Sequence, residues 1–371
     1  MTRLVSLSCC ALLLAACGSG DDDGGGLPGE ATVFAVSTDY VSTGIASTVA
    51  IPSLEVTQNA IAGVASTDPT LRYINGTLYV INRFGADNIT IIDPETTTLV
   101  AQISTGAGTN PHDLAVVGTR LYVAAFGSGD VLVIDTARPN DGVIATIDLS
   151  AMDPDGVPNC TAITSVGDYV YVACGVLDDE DGFFTPRGPG RLAVIDPSDD
   201  SLVTHIALAG TNPQGRLTVA PPESTIAGEL LIDAIPNYGD LTEGCIERII
   251  PGTDPAPNGC LVQHAALGGY AGSMVWSGAD LWLAVTTGWD QEDFQPLGVV
   301  IPFDTAEMRL ADTPMTPSSQ RAFGVVRCPT GHLVVTDAAG GLRVYDSAGV
   351  EQTTELLDIG LPPIAGGTVC Y

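Results

Sequence analysis

The chain has 371 residues and a formal net charge of −31, from 44 acidic residues against 13 basic ones, all of them arginine. A field of that sign repels phosphate backbones and excludes nucleic acid as a partner. Apolar residues make up 45%, but 43 glycines and 25 prolines break them into short runs, which selects many strands and turns over long helices.

The first twenty residues read MTRLVSLSCCALLLAACGSG. Arg3 supplies a positive start, and Leu4 to Leu14 form an apolar run too short to cross a hydrocarbon core of ~30 Å as a helix. Its length and flanks are those of a cleaved signal peptide. Leu14-Ala15-Ala16-Cys17 resembles the bacterial lipobox. The resemblance implies that residues 1–16 are removed and that Cys17 is acylated as the new N-terminus. Gly18, with no Asp at that position, implies release to the outer membrane rather than retention in the inner one. Several acyl chains on one cysteine anchor stably, so the membrane is an expected partner through the lipid, with periplasmic and surface exposure both open. Residues 17–30 hold no large apolar side chain except Leu27 and read as a flexible lipidated tether. The fold is expected over residues 31–371.

Cys9 and Cys10 leave with the signal peptide. Cys160, Cys174, Cys245, Cys260, Cys328 and Cys370 remain, an even set that predicts three disulfides in an exported protein. No CxxC, CxxCH or Cys/His metal spacing occurs, so neither zinc nor haem is expected and no cofactor is assigned.

A repeat then runs through the chain. An apolar pair followed by Asp and a turn recurs at Ile91-Ile92-Asp93, Val133-Ile134-Asp135, Val194-Ile195-Asp196, Pro302-Phe303-Asp304 and Val344-Tyr345-Asp346, with a divergent copy ending at Ile250-Pro251-Gly252. Upstream of these lie strands such as Leu78-Tyr79-Val80-Ile81, Leu121-Tyr122-Val123 and Leu281-Trp282-Leu283. Four strands per ~40–50 residues is the period of a propeller blade. The recurrent Asp is expected to close its hairpin by an Asx-type bond. The stretch from Ile92-Asp93 through Thr109-Asn110-Pro111-His112 to Leu121-Tyr122-Val123 resembles the YVTN-type β-propeller repeat family, which implies a fold but no single activity.

Six blades read in order, over about 68–105, 110–150, 159–209, 213–268, 270–316 and 321–360. Three strands at Thr32–Ser37, Gly44–Ile51 and Leu54–Ala60 have no inner strand, and Ala365–Tyr371 has no partner. An unpaired edge is a liability. Joining the two remnants predicts an all-β, seven-bladed propeller of four-stranded antiparallel blades, closed by the N-terminal strands pairing with the C-terminal one. Strand placement then pairs Cys160 with Cys174 and Cys328 with Cys370. By elimination Cys245 pairs with Cys260; with Cys245 expected to start a third strand and Cys260 a fourth, either the strands are irregular around Pro251–Asn258 or the pairing differs.

In such blades the loops leading into the first strand and those joining the second to the third share one face, called the top. The leading loops are expected to place Arg72, His112, Asp113, Asn159, Gln214, Arg216 and Arg321 at the mouth of the axial channel. The longest second-to-third loops, about 175–190, 236–244 and 287–297, carry Asp178, Asp179, Asp181, Phe183, Phe184, Tyr238, Trp289, Asp290 and Asp293. Long loops on a rigid scaffold, with aromatics beside acids, suggest a recognition surface. Calcium at these acidic loops stays open as an alternative to no cofactor; it needs converging oxygens, and no EF-hand-like spacing is present. Of the histidines, only His112 is expected at the channel; His205 and His264 read as outermost-strand residues and His332 follows a Gly turn. No nucleophile elbow, Ser/His/Asp motif or phosphate loop occurs. The favoured reading is a membrane-anchored, non-enzymatic binding or interaction scaffold. The alternative is a lactonase-type propeller hydrolase acting at the channel mouth through Arg72, His112, Arg216 and Arg321.

Overall fold

The computed structural model describes residues 29–180 and 182–371. The signal peptide, Cys17, most of the tether and Asp181 lie outside the described residues. The remainder folds as a ring of seven blades. Numbered from the first complete one, blade one is Pro69–Ile74, Thr77–Asn82, Asn88–Asp93 and Thr98–Ser104. Blade two runs from Pro111–Val117 to Val143–Asp148, and blade three from Cys160–Val166 to Ser201–Ala207. Blade four runs from Pro213–Val219 to Ala256–Gln263, and blade five from Tyr270–Ser277 to Arg309–Leu310. Blade six has three strands, Ala322–Arg327, Leu333–Asp337 and Gly341–Tyr345; its outer position is filled by a segment bridging through Glu351 and Leu357.

Blade seven is built from both ends of the chain. Pro363–Cys370 is its inner strand, beside Ala31–Thr38, Gly44–Ile51 and Val56–Ile61. The amide of Tyr371 donates to the Thr32 carbonyl at 3.0 Å, and the Tyr371 carbonyl accepts the Thr32 amide at 2.7 Å. The pairing covers the edge that Ala31–Thr38 and Pro363–Cys370 would each present alone.

Middle strands are covered by a neighbouring blade on both faces, so they are continuously buried and mostly apolar. Leu78 to Asn82 and Ile89 to Ile92 are buried without interruption. The outer strand Ser201–Ala207 alternates between exposed and half-buried, as a one-sided strand must. One apolar cluster fills each of the seven junctions between neighbours, including blades six to seven and seven to one.

The repeated Asp is a turn-closing residue at every copy. Asp93, Asp135, Asp196, Asp304 and Asp346 each accept the amide two residues on, at 2.8–3.0 Å. A second repeated element precedes the inner strands of blades two, three and four. Asn110, Asn159 and Asn212 stand there with φ of 45°, 54° and 47°, a left-handed conformation that asparagine tolerates better than most residues.

Three disulfides tie Cys160 to Cys174, Cys245 to Cys260 and Cys328 to Cys370. Cys160 and Cys174 face each other across two strands. Cys260 lies in mid-strand rather than at a strand start, opposite Glu247, and two register shifts around Glu247 bring it to Cys245. His264 also departs from expectation. It lies just past the outer strand of blade four and opens the one-turn helix His264–Leu267, where it is fully buried.

Candidate functional site

The top face is defined by the second-to-third loops, and six of the seven carry an aromatic. Tyr40 belongs to blade seven, Phe84 to blade one, Phe126 to blade two, Phe183 and Phe184 to blade three, Tyr238 to blade four, and Trp289 and Phe294 to blade five. Phe84, Phe183 and Phe294 are 76%, 86% and 74% exposed. Among the described residues, the other exposed large aromatics are Tyr40, Phe184, Tyr238 and Trp289 on this face and Tyr73 at the opposite one. Tyr73 is stacked on Tyr371 with ring centres 4.8 Å apart.

Ion pairs fix the loops that present these rings. Arg187 holds the blade-three loop by reaching Asp153 at 3.0 Å, Asp178 at 3.1 Å and Asp155. Asn159 is buried and serves the same loop, donating to Asp179 at 2.8 Å and accepting the Leu177 amide at 3.0 Å. It is therefore a scaffold residue and not part of the channel mouth. The short strands Leu177–Asp178 and Thr185–Pro186 complete this brace. Arg321, also expected at the mouth, instead clamps the blade-five loop through Asp290 at 2.9 Å and Asp293. That bond holds the Asp293 carboxyl below its ordinary value, helped by the Gln295 amide. Burial pushes Asp153 and Asp179 up. The acids of these loops thus grip guanidinium groups. Among the described residues, no three His, Cys, Asp or Glu side chains converge as a metal site. Glu180, Glu243 and Glu292 are exposed and make no ion pair with the described residues.

Further in, the inner strands run from the top towards the opposite face, rising ~3.3 Å per residue. Arg72 is the fourth residue of its strand and lies well below the mouth. It donates Nε to Asp113 Oδ1 at 2.6 Å, and its Nη2 lies 2.5 Å from Oδ2. Asp113 is 1% exposed and also accepts the amides of Leu114 at 2.7 Å and Ile163 at 3.0 Å. This carboxylate joins blades one, two and three. Across the channel, Arg216 Nη2 donates to the carbonyl oxygens of Leu71 at 2.7 Å and Gly366 at 3.4 Å. Two arginines from opposite sides form a polar waist, and the register shift between Gln214 and Thr218 sets Arg216 there. Gln214 stays above it, donating to Asn212 at 2.7 Å. The seven residues expected at one mouth therefore divide between the waist, the loop braces and the top.

His112 and His264 are both engaged by neighbouring side chains. His112 stacks on Phe126 with centres 4.5 Å apart, and Phe126 meets Phe184 at 5.7 Å. Burial, with the nearby charge of Arg83, pushes the His112 imidazole down to about 3, so it is neutral at ordinary pH. His264 places Nε2 2.5 Å from Asp233 Oδ1 and Nδ1 2.5 Å from the Glu243 carbonyl. Both ring nitrogens are occupied, so it has no lone pair to offer a ligand. Burial opposes its charge, but the Asp233 carboxylate outweighs that and holds its pKa above the ordinary value. Sequence reasoning missed this pair. The signal was present in Leu230-Leu231-Ile232-Asp233-Ala234, where a carboxylate in a continuously buried strand requires a partner.

No family model matches the chain, and no curated protein matches it. Solved structures do. Apo AztD from Citrobacter koseri aligns over 92% of this chain and 98% of its own, at 11% identity and a TM-score of 0.54. Catalytically inactive virginiamycin B lyase from Staphylococcus aureus, with quinupristin, aligns over 79% and 85%, at 13% identity and a TM-score of 0.54. Hydrazine synthase from Kuenenia stuttgartiensis aligns over 78% of each chain, at 17% identity and a TM-score of 0.52. Each likeness is one of fold.

Proposed function

We propose that this chain is a lipid-anchored, extracytoplasmic propeller that captures an envelope protein or a small molecule on its top face and carries out no chemistry there. The observation that carries the reading is the set of exposed aromatics on loops of neighbouring blades, fixed by Arg187 and Arg321. Exposed aromatics on a pre-organised frame are the usual anchors of recognition, and holding loops before binding reduces the entropy lost on binding. The hydrolase alternative needs Arg72, His112, Arg216 and Arg321 around one substrate, but only Arg72 and Arg216 share the waist, while His112 stacks on Phe126 and Arg321 clamps the blade-five loop.

Strand direction supports the anchored orientation. Ala31–Thr38 runs towards the top, where the Tyr40 loop follows, so the chain joins the propeller at the opposite face. A tether of residues 17–30 ending in lipid would then turn the aromatic face away from the membrane. At ~5–6 Å times the square root of its length, such a tether reaches about 20 Å.

The test is capture from envelope extracts by the acylated protein, compared with the variant Phe84→Ala/Phe183→Ala/Phe294→Ala. Capture by the parent and its loss in the variant, at unchanged melting temperature, is the expected result. Equal capture by both would refute the top face as the binding surface.

A further inference from the structure

Below the waist the axial channel widens into a cavity of about 480 Å³, within the ordinary range for small-molecule sites. It lies towards the first-to-second-strand turns, because Ile74, Val116, Ser165, Thr218 and Trp276 each stand at or next to the end of an inner strand. It is separate from the top face and independent of the reading given for that face.

The composition of its lining is unusual for this protein. In a chain of 44 acids, Arg191, Arg216 and Arg327 alone among the described arginines lack a carboxylate partner. Of these, only Arg216 lines the cavity. Its two contacts use Nη2 and both go to backbone carbonyls, which leaves Nε and Nη1 without a protein acceptor among the described residues. Those atoms are not sealed inside the protein, since Arg216 is only half-buried. Arg72, beside it, is already neutralised by Asp113. The cavity carries no acid, and its other walls are apolar, among them Leu114, Ile163, Met274 and Trp276, with the hydroxyls of Thr164, Ser165 and Thr218 between them.

We propose that this cavity binds a small organic carboxylate with an apolar body, its carboxylate on Arg216. A guanidinium with open N–H groups pairs with a planar anion by charge-assisted hydrogen bonds. The surrounding apolar walls select a ligand whose remainder leaves water. A bare anion would satisfy Arg216 and leave those walls wet, while an apolar neutral molecule would leave the guanidinium without an acceptor.

The full chain is titrated with 4-phenylbutyrate, 4-phenylbutyramide and inorganic phosphate, by calorimetry and by tryptophan fluorescence, Trp276 being the reporter in the wall. The expected result is saturable binding of the carboxylate and at least tenfold weaker binding of the amide and of phosphate. Arg216→Gln should weaken the carboxylate at least tenfold, whereas Arg321→Gln, on the top face, should leave it unchanged. Should Arg216→Gln fail to fold, Ser165→Phe, which fills the cavity and keeps the arginine, must abolish binding. No saturation by the carboxylate, equal affinity for amide or phosphate, or binding that survives Arg216→Gln or Ser165→Phe overturns the proposal.

Discussion

Cys370 lies directly opposite Val33 in the ladder that joins the last strand of the chain to the first. It is also bonded to Cys328 of the neighbouring blade. One residue therefore closes a blade by hydrogen bonding and locks two blades by a covalent bond. Deleting Gly366–Tyr371 removes both, exposes the edge of Ala31–Thr38 and strips Val369 from the junction of blades seven and one. The disulfide alone, closing 42 residues, is worth about 4 kcal/mol in the chain-entropy model. The truncated chain should melt at least about 10 °C lower than the parent, and it should aggregate on refolding. A calorimetric scan indistinguishable from the parent's would refute closure by the C-terminal strand.

The Arg72–Asp113 clasp makes a prediction about the waist. Asp113→Ala strands a guanidinium and leaves the Leu114 and Ile163 amides without their acceptor, a loss of about 3–5 kcal/mol. Asp113→Asn keeps one acceptor oxygen and should lose less. Arg72→Met with Asp113→Leu removes both charges together and should be less harmful than Asp113→Ala alone. Urea unfolding of the three variants decides the order; a double variant that loses as much as Asp113→Ala or more would refute the clasp as the source of that loss.

His112 sets a pH dependence with a definite sign. Its folded pKa is depressed from 6.5 to about 3, so the folded state binds fewer protons than the unfolded chain between those values. The stability it contributes is complete above about pH 6.5 and is lost progressively as pH falls towards 3. His112→Phe keeps a ring against Phe126 without a titrating group, and its melting temperature should fall less than the parent's across that window. His264 acts in the opposite sense. Its raised pKa gives stability that is complete below 6.5 and is lost as pH rises through the folded value. Parallel melting curves for the parent and His112→Phe from pH 6.5 to 4 would show that His112 is not shielded.

The anchor is tested at Cys17. Cys17→Ala should move the protein from the membrane fraction to the soluble one or leave its precursor uncleaved. Detergent partitioning and the mass of the N-terminal peptide read both outcomes. A processed Cys17→Ala protein that stays with the membrane would dismiss the lipid anchor.

Much of the architecture was legible because it is local. An Asp after an apolar pair closes its own turn two residues on, whatever lies elsewhere, and Asp93 through Asp346 repeat that rule in every copy. The seventh blade was legible because a strand without a partner at each end of the chain has one economical solution. The long loops were legible as loops, since punctuation and polarity mark them, and so were the aromatics on them.

What Arg72, Arg216, Asp113 and His264 do was not legible, because each acts on residues brought to it only by tertiary packing, within a blade, between neighbouring blades or across the ring. Arg216 meets Leu71 from 145 positions away, and Asp233 meets His264 across 31. A one-dimensional pattern places a side chain on a strand and a strand in a blade. How far down the channel it sits, and whether a partner reaches it, depends on bulges such as that between Gln214 and Thr218 and on which blades stand opposite one another. The sequence by itself thus determined the propeller, its closure and its turns, which follow from local chemistry repeated from blade to blade, the Asp turn in five of them. Only the tertiary structure decided that the expected mouth residues separate into a waist, two loop braces and the top, because a buried polar group settles where packing gives it a partner in space.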